Sequence, residues 1–464
     1  MNNYLKLLSP RAVQYYKVEQ HPDIEIEDIL DPTDLLVPYR LDVLIKIYYV
    51  DCFVRKLNMS YAVEAYKAHI YSITAFTNKE NGQLNKSSQE DFIKEFNKLI
   101  ESFKNGGFDS KKSLIPISKE GIILDGAHRL ACAIYFRSPV TVARLNYVSF
   151  SGEYPTPIYD YNYFQKYALP GDFLDLAARI YLRYSKKNIY IACLWPSALG
   201  KEKREKALKM INESHPIIYV KKIKMSFKAH DRLISQIYMN DVWVGNINNN
   251  FKGTKNKSVL CYEKKGYSSF ILFEGINKED TLDLKEEIRE VFNKGKHSIH
   301  ISDNTEESIY ISNYVYNNSS LNFLEKANLG KCPKLVNQLR CDNNTGPYDL
   351  TTSRKLCGFN DYVVDYPSLL NQDELKDGYT IEDILNIPYM TYTYIGKSFI
   401  CADEKIVKEV FSFFQEGDFL PYDNSFADKI ITNLYYSLTV LKVKIKRFVV
   451  PFYNILIKIT HKNG

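Results

Sequence analysis

The segment Ile288–Ser308, IREVFNKGKHSIHISDNTEES, lays out a helix, a turn, a strand and a second helix in quick succession. A charged helix carrying Arg289 runs through Phe292 into a turn at Gly295 and Lys296. A short apolar-alternating strand follows, with His300 at its end. Ser302-Asp303-Asn304-Thr305-Glu306-Glu307 then reads as a helix start, with a capping side chain and early acids that suit the positive end of the helix dipole. One imidazole is thereby expected between cationic side chains and beside a helix N-terminus. Such a place holds phosphate, and a neutral imidazole can attack it.

The same residues, IRxxF and then G-K-x-x-x-H-x-S-D-x-x-E, resemble the active-site segment of nucleoside diphosphate kinases, whose pattern runs TIRxDF…NxxHGSDSxES. Two further pieces fall in the order of that family. Asn188–Ala198 (NIYIACLWPSA) resembles its first strand and KPDA turn, and Ser268–Gly275 (SSFILFEG) the strand before the helix leading to the histidine. The resemblance implies a phosphate-accepting His300, phosphate clamps at Arg289 and Lys296, and Ser302 and Asp303 in the following loop. Trp195 stands where the family has Lys, Ile301 where it has Gly, and Ile311 where a Glu orients the histidine.

A second constellation lies upstream. Ile122-Ile123-Leu124 reads as a strand leading into Asp125-Gly126-Ala127-His128-Arg129, after which an Ala-rich helix begins. Glycine lets a backbone approach phosphate, a helix start offers N–H groups, and Arg gives a two-pronged fork. This DGxHR stretch resembles the ParB/sulfiredoxin-like superfamily, where it meets nucleotide phosphates. The resemblance implies a nucleoside triphosphate (ATP or CTP) with Mg²⁺, Asp125 and His128 in catalysis, and Gly126, Ala127 and Arg129 as phosphate binders. The acid such kinases use near their first strand is Glu25, Glu27 or Asp31.

Elsewhere the chain is ordinary globular material. At 464 residues, 45% hydrophobic and 25% charged, it has ample core for several domains. A net charge of +6 is too mild for a chain-wide nucleic-acid footprint, and no helix-turn-helix pattern stands out. Eight scattered cysteines without CxxC pairs suggest reduced thiols in a cytoplasmic protein. His230 and Arg232 fall on an amphipathic helix and are expected at the surface; Asn246–Lys257 reads as a polar loop.

The expected fold class is α+β multidomain. Residues 1–150 form a ParB/sulfiredoxin-like domain with a helical start, 151–187 a linker and helix, and 188–330 a nucleoside diphosphate kinase-like, ferredoxin-like α/β sandwich. Residues 331–425 form a small α+β domain with a faint, degenerate nucleotidyltransferase resemblance around Asp361 and Asp365. Residues 426–464 make a basic amphipathic tail, rich in Lys with no acid in its core, suited to the anionic inner face of the plasma membrane. The expected function is a kinase-like phosphotransferase acting on a sugar or glycan precursor in bacterial surface-polysaccharide assembly. The alternatives are a nucleotidyl- or glycosyltransferase of the same pathway and a non-catalytic nucleotide-binding protein.

Overall fold

The structure, a computed structural model, describes residues 3–21, 24–56, 59–79, 86–238, 241–244, 252–318, 321 and 324–325, with the backbone of short strands at 362–365, 392–394 and 397–402. The 426–464 tail, Asp361 and most of 331–425 lie outside the described residues. The chain is mixed α+β, with helices on several small sheets.

The N-terminal part runs α1 (Pro10–Tyr15), β1 (Ile24–Ile29), α2 (Asp42–Arg55), α3 (Met59–Ile73), α4 (Gln89–Gly106), β2 (Ile115–Ser118), α5 (Ala127–Phe136) and β3 (Val140–Leu145). Strand β3 is central, antiparallel to β1 and parallel to β2. Glu25 and Glu27 share one side of β1, where Asn146 and Arg144 hold them. Ile122–Leu124 makes only one bridge, Ile117 to Ile123, because the chain turns back tightly at Glu120-Gly121 and turns again at Gly126. The strand expected there is therefore a single extended contact.

Two short strands, β4 (Val148–Ser149) and β5 (Tyr154–Pro155), lead to α6 (Tyr161–Lys166) and α7 (Gly171–Tyr184). Ser88 and Asp160 each accept a backbone N–H at a helix start, which explains why α4 and α6 begin where they do. Phe173, Leu176, Ala177 and Ile180 of α7 are buried in a core shared by α2, α5 and the second sheet. Within 151–187, Thr156, Phe164 and Leu169 are buried, and α7 is buried over most of its length.

The second sheet comes from β6 (Ile189–Leu194), α8 (Lys201–Ser214), β7 (Ile217–Ile223), α9 (Phe227–Ile237), α10 (Lys252–Cys261), β8 (Ser268–Glu274), α11 (Lys278–Phe292), β9 (Ile299–Ile301) and α12 (Thr305–Val315). Its order is β7-β8-β6-β9, and every neighbouring pair is antiparallel. Both faces are covered, so β6 and β8 are buried almost throughout. The two-residue period of a strand assigns the sides. Tyr190, Ala192, Leu194, Ile271, Phe273, Ile299 and Ile301 meet α8 and α11, whereas Ile191, Cys193, Phe270 and Leu272 join the shared core. His300, between Ile299 and Ile301, therefore faces the shared-core side.

The further strands β10 (Tyr362–Asp365), β11 (Tyr392–Tyr394) and β12 (Lys397–Ala402) form a small antiparallel sheet with β12 central. Among the described residues no helix is long and apolar enough to cross a membrane.

Two expectations need correction. His230 and Arg232 are fully buried, not exposed. Helix α9 is covered by α10 and by the segment ending at Leu324, whose carbonyl accepts from Arg232 Nη1 at 2.7 Å. His230 packs against the rings of Trp195 and Tyr262. The Asn246–Lys257 loop is helical from Lys252 onward, because Val259 and Cys261 supply buried anchors after the glycine.

Burial depresses the His230 pKa to about 3. The unfolded chain then binds a proton at this residue below about pH 6.5 while the folded chain does not, so stability is full above that pH and falls as pH drops. The expected slope from this residue is about 1.4 kcal/mol per pH unit. Urea midpoints between pH 7 and pH 5 should fall less steeply in His230→Phe than in the parent chain.

Candidate functional site

A cavity of about 840 Å³ opens among α1, α2, α3, α4, the 155–159 segment and the start of α5. Its wall contains Asp125, Gly126, Ala127, His128 and Arg129 together, as the sequence led us to expect. Gly126 is the N-cap of α5 and sits at φ +88°, a left-handed conformation that glycine adopts without penalty. No side chain caps this end. The first N–H groups of a 10-residue helix are thus offered to the cavity. Asp125 accepts from Ser9 Oγ at 2.7 Å and lies 3.5 Å from Arg129 Nη2. Burial works against its charge, but Arg129 and Ser9 outweigh it and hold the carboxyl below its usual range. Arg129 also donates to the Leu114 carbonyl at 2.9 Å, so its fork is fixed from two sides. His128 Nε2 lies 2.7 Å from the Tyr66 hydroxyl, and the edge of Phe96 packs on its ring. Burial, with Lys46, Lys86 and His69 nearby, pushes its pKa well below the ordinary histidine value.

The cavity floor was not anticipated. Arg40, Asp42 and Lys46, at the start of α2, are 3%, 1% and 2% exposed, and all three line the cavity. Arg40 grips the Asp42 carboxylate with Nε at 2.7 Å and Nη2 at 2.9 Å. Lys46 Nζ donates to the Asp42 carbonyl at 2.8 Å, shares the carboxylate at 3.2 Å and meets His69 Nε2 at 3.1 Å. Burial opposes the Asp42 charge, yet Arg40 and Lys46 hold its pKa far below normal. One carboxylate thus faces two buried cations. Around the whole cavity, Arg11, Arg40, Lys46, Lys79, Lys86 and Arg129 stand against Asp42, Glu95 and Asp125. The arrangement favours an anion.

Glu25, Glu27 and Asp31 do not line this cavity. Glu27 pairs with Arg144, Asp31 with Lys186 and Thr33, and Glu25 with Asn146. The buried carboxylate that does line it is Asp42. A visible signal was available: RLDVLIK places Arg, Asp and Lys on a helix that is otherwise apolar, and buried charges of this kind are retained only when paired.

His300 lies elsewhere, outside the residues that line this cavity. It is partly buried on β9, opposite Cys193 of β6. Its Nε2 is 3.0 Å from Glu307 Oε1, and the Tyr238 ring stands edge-on at 5.0 Å. A carboxylate only accepts, so it selects the Nε2–H tautomer and leaves the Nδ1 lone pair open. Glu307 also accepts the Asp303 N–H through Oε2. The orienting acid that Ile311 could not supply therefore comes from the first turn of α12; Ile311 itself is buried in the shared core.

The other residues expected around His300 divide. Arg289 donates to Glu286 on its own helix. Lys296 offers its carbonyl to Lys257 Nζ at 2.6 Å. Asp303 pairs with Lys278 at 2.8 Å and reaches Lys285 at 3.9 Å. Ser302 is buried, with its Oγ accepting from the Ile191 N–H at 2.9 Å and meeting Ser308 Oγ at 2.7 Å, so it fastens β9 and α12 to the sheet rather than facing a ligand. Two unanticipated lysines complete the neighbourhood. Lys257 is pushed below its ordinary value by burial and by Arg289, Lys296 and Lys285. Lys285 is lowered by burial, with Arg289 and Lys278 adding to the effect.

Among the described residues no group of three or more His, Cys, Asp or Glu could hold a metal ion. Mg²⁺ carried on nucleotide phosphates needs only one or two protein carboxylates, and Asp125, 28% exposed in its side chain, is the cavity acid best placed for that. Comparison with protein-family models, with curated proteins and with solved structures finds no match to this chain.

A Cβ at position 126 would lie 2.7 Å from Arg129 Nη2 and would force a left-handed alanine. Gly126→Ala should cost about 1–2 kcal/mol of stability and displace the Arg129 fork. Thermal unfolding with and without pyrophosphate should show a modestly lower midpoint and no stabilisation by the anion.

Proposed function

We propose that this chain is a nucleoside-triphosphate-dependent phosphotransferase, with the donor phosphates held at the start of α5 and a sugar or glycan precursor as acceptor. The observation that carries the reading is the cavity floor, where two buried cations share one carboxylate beneath an uncapped helix N-terminus. Phosphoryl transfer asks mainly for positioning and for charge stabilisation in a dry site. Arg129 supplies a fork, the α5 amides supply fixed dipoles, and Arg40 and Lys46 supply charge beneath them. His128 is held neutral and oriented by Tyr66, which suits a hydrogen-bonding partner for the transferring group. Bound Mg²⁺ would neutralise charge on the phosphate oxygens.

The resemblance to ParB/sulfiredoxin-like proteins gains support from the DGAHR turn lying at a cavity rather than on an open surface. The resemblance to nucleoside diphosphate kinases gains support from the β7-β8-β6-β9 order, which is that of a split β-α-β-β-α-β sheet. Its histidine lies on the edge strand and a carboxylate holds the far nitrogen. On this reading a nucleoside triphosphate bound beside His300, apart from the α5 cavity, would lose its γ-phosphoryl group to His300 Nδ1, the bond to the bridging oxygen breaking as the nucleoside diphosphate leaves.

The two constellations are separable by experiment. ATP, CTP and GTP should each be tested for a shift in melting temperature, and the preferred one should raise it by several degrees. Arg129→Ala should abolish that shift. With γ-labelled nucleotide, an acid-labile protein label should appear in the parent chain and vanish in His300→Ala. Glu307→Gln should slow its formation on the order of 10²-fold. No shift with any nucleotide would remove the donor site, and a shift without label or transfer to any acceptor would reduce the chain to a nucleotide-binding protein.

A further inference from the structure

A groove of about 1120 Å³ runs along α8, and one of its walls holds a buried charge with no counter-charge. Arg204 is 5% exposed. Its Nε donates to the Ala198 carbonyl at 2.6 Å, and Nη2 to the carbonyls of Trp195 and Tyr267 at 2.7 and 2.6 Å. Nη1 donates to Ser269 Oγ at 3.0 Å. Every one of these acceptors is neutral, so among the described residues no carboxylate answers the guanidinium. Buried arginine is ordinarily paired with an acid. The contacts leave one N–H of Nη1 uncommitted. They also hold the group rigidly, with the Tyr267 ring centred 4.2 Å from it.

Positive potential gathers at the same end of the groove. Gly200, at φ +98°, precedes α8, and no side chain caps this 14-residue helix. Its first N–H groups therefore stand one turn from Arg204. The pairing of β7 with β8 puts Lys222 opposite Ser269, the residue that Arg204 holds. Lys222 and Lys265 both line the groove, and neither pairs with an acid among the described residues. At the far end of α8, about 20 Å away, the lining includes His215, which is 2% exposed. Its Nε2 lies 3.0 Å from Asp280 Oδ2 yet has no hydrogen-bond partner among the described residues. Between the two ends stand Tyr39, Tyr161, Asn162 and Asn212.

We propose that this groove binds an oligosaccharide with one anionic end, the anion at Arg204 and the sugar rings along α8. Tyrosine offers a flat apolar face and a polar tip. A sugar ring matches it with a C–H face and a hydroxyl edge, and the amides supply both donors and acceptors for those hydroxyls. The anion accepts from the uncommitted Nη1 N–H and the α8 amides, and it supplies the missing counter-charge. A ligand charged along its whole length fits less well, because Asp160, Glu205 and Glu213 line the remainder of the groove. The site shares no lining residue with the α5 cavity. It also lies on the α8 side of the second sheet, whereas His300 faces the shared core. The groove is thus a holding site that requires neither phosphate constellation and stands if both fail.

Calorimetry of the full chain with 3′-sialyllactose and with maltose 1-phosphate, against lactose and maltose, tests this. One acidic sugar at least should bind about tenfold more tightly than its neutral parent. The tighter of the two shows whether the anion is a carboxylate or a phosphate. Tyr161→Ala and the surface change Lys222→Glu should each weaken that binding about tenfold, while Arg129→Ala should leave it unchanged. Equal or absent binding of acidic and neutral sugars would overturn the proposal. So would full affinity in both groove variants. Loss of binding in Arg129→Ala would move the sugar to the α5 cavity and overturn it as well.

Discussion

The ion pair between Arg40 and Asp42 is the contact on which the N-terminal part depends. It fixes the first turn of α2 and, through Arg40 Nη1 and the Ile123 carbonyl, ties that turn to the chain entering Asp125 and Gly126. The chain entering the α5 N-terminus is thereby tied to a residue distant from it in sequence. Burying such a pair does little for stability by itself, since apolar residues of equal volume often serve as well. Removing one partner is another matter and typically costs 3–5 kcal/mol. An arrangement of this kind is explained by what it holds in place, and here that is a charged floor under a helix start.

The same residues form a partition. Arg40 bridges Tyr159, with the Tyr159 N–H donating to the Tyr39 carbonyl at 2.8 Å and the Leu41 N–H to the Tyr159 carbonyl at 3.0 Å. Neighbouring residues of an extended chain point to opposite sides. Arg40 and Tyr159 line the α5 cavity, while Tyr39, Asp160 and Tyr161 line a second cavity of about 1120 Å³ against α8. The Arg40 guanidinium also lies 5.2 Å from the centre of the Tyr159 ring, which keeps both aimed the same way. The shared core around α7 holds this partition from behind.

How much of this could be read in advance follows from the range of each interaction. Helix α4 is set by apolar spacing and a Ser88 cap that are both local in the sequence. Strands β6 and β8 were met through the family resemblance, and their burial on both faces matches their continuous apolar runs. Asp125-Gly126-Ala127-His128-Arg129 was legible because its turn and its helix start are adjacent in sequence. The floor was not, since the Arg40–Ile123 and Tyr66–His128 contacts join residues far apart in the chain. Glu307 was noticed as an acid near a helix start, but its bond to His300 needs β9 and α12 to fold back on each other. His230 and Arg232 escaped because their cover arrives from α10 and Leu324, and nothing in α9 alone reveals it.

The two constellations solve one electrostatic problem in different ways. At the α5 cavity, the cations are fixed by a carboxylate they share, so the charge is preorganised and dry before any ligand arrives. Around His300 the acids are in use: Glu307 holds the imidazole, and Asp303 pairs with Lys278 and approaches Lys285. Among the described residues no acid pairs with Lys257. It lies 5.0 Å above the Tyr238 ring and donates to the Lys296 carbonyl. The same ring meets His300 edge-on, also at 5.0 Å. A cation held by a π-face and a carbonyl stays close without competing for Glu307, and it keeps its charge uncommitted toward an incoming anion. Under the proposed function, an imidazole with one nitrogen bound and one open is the group that would attack phosphate.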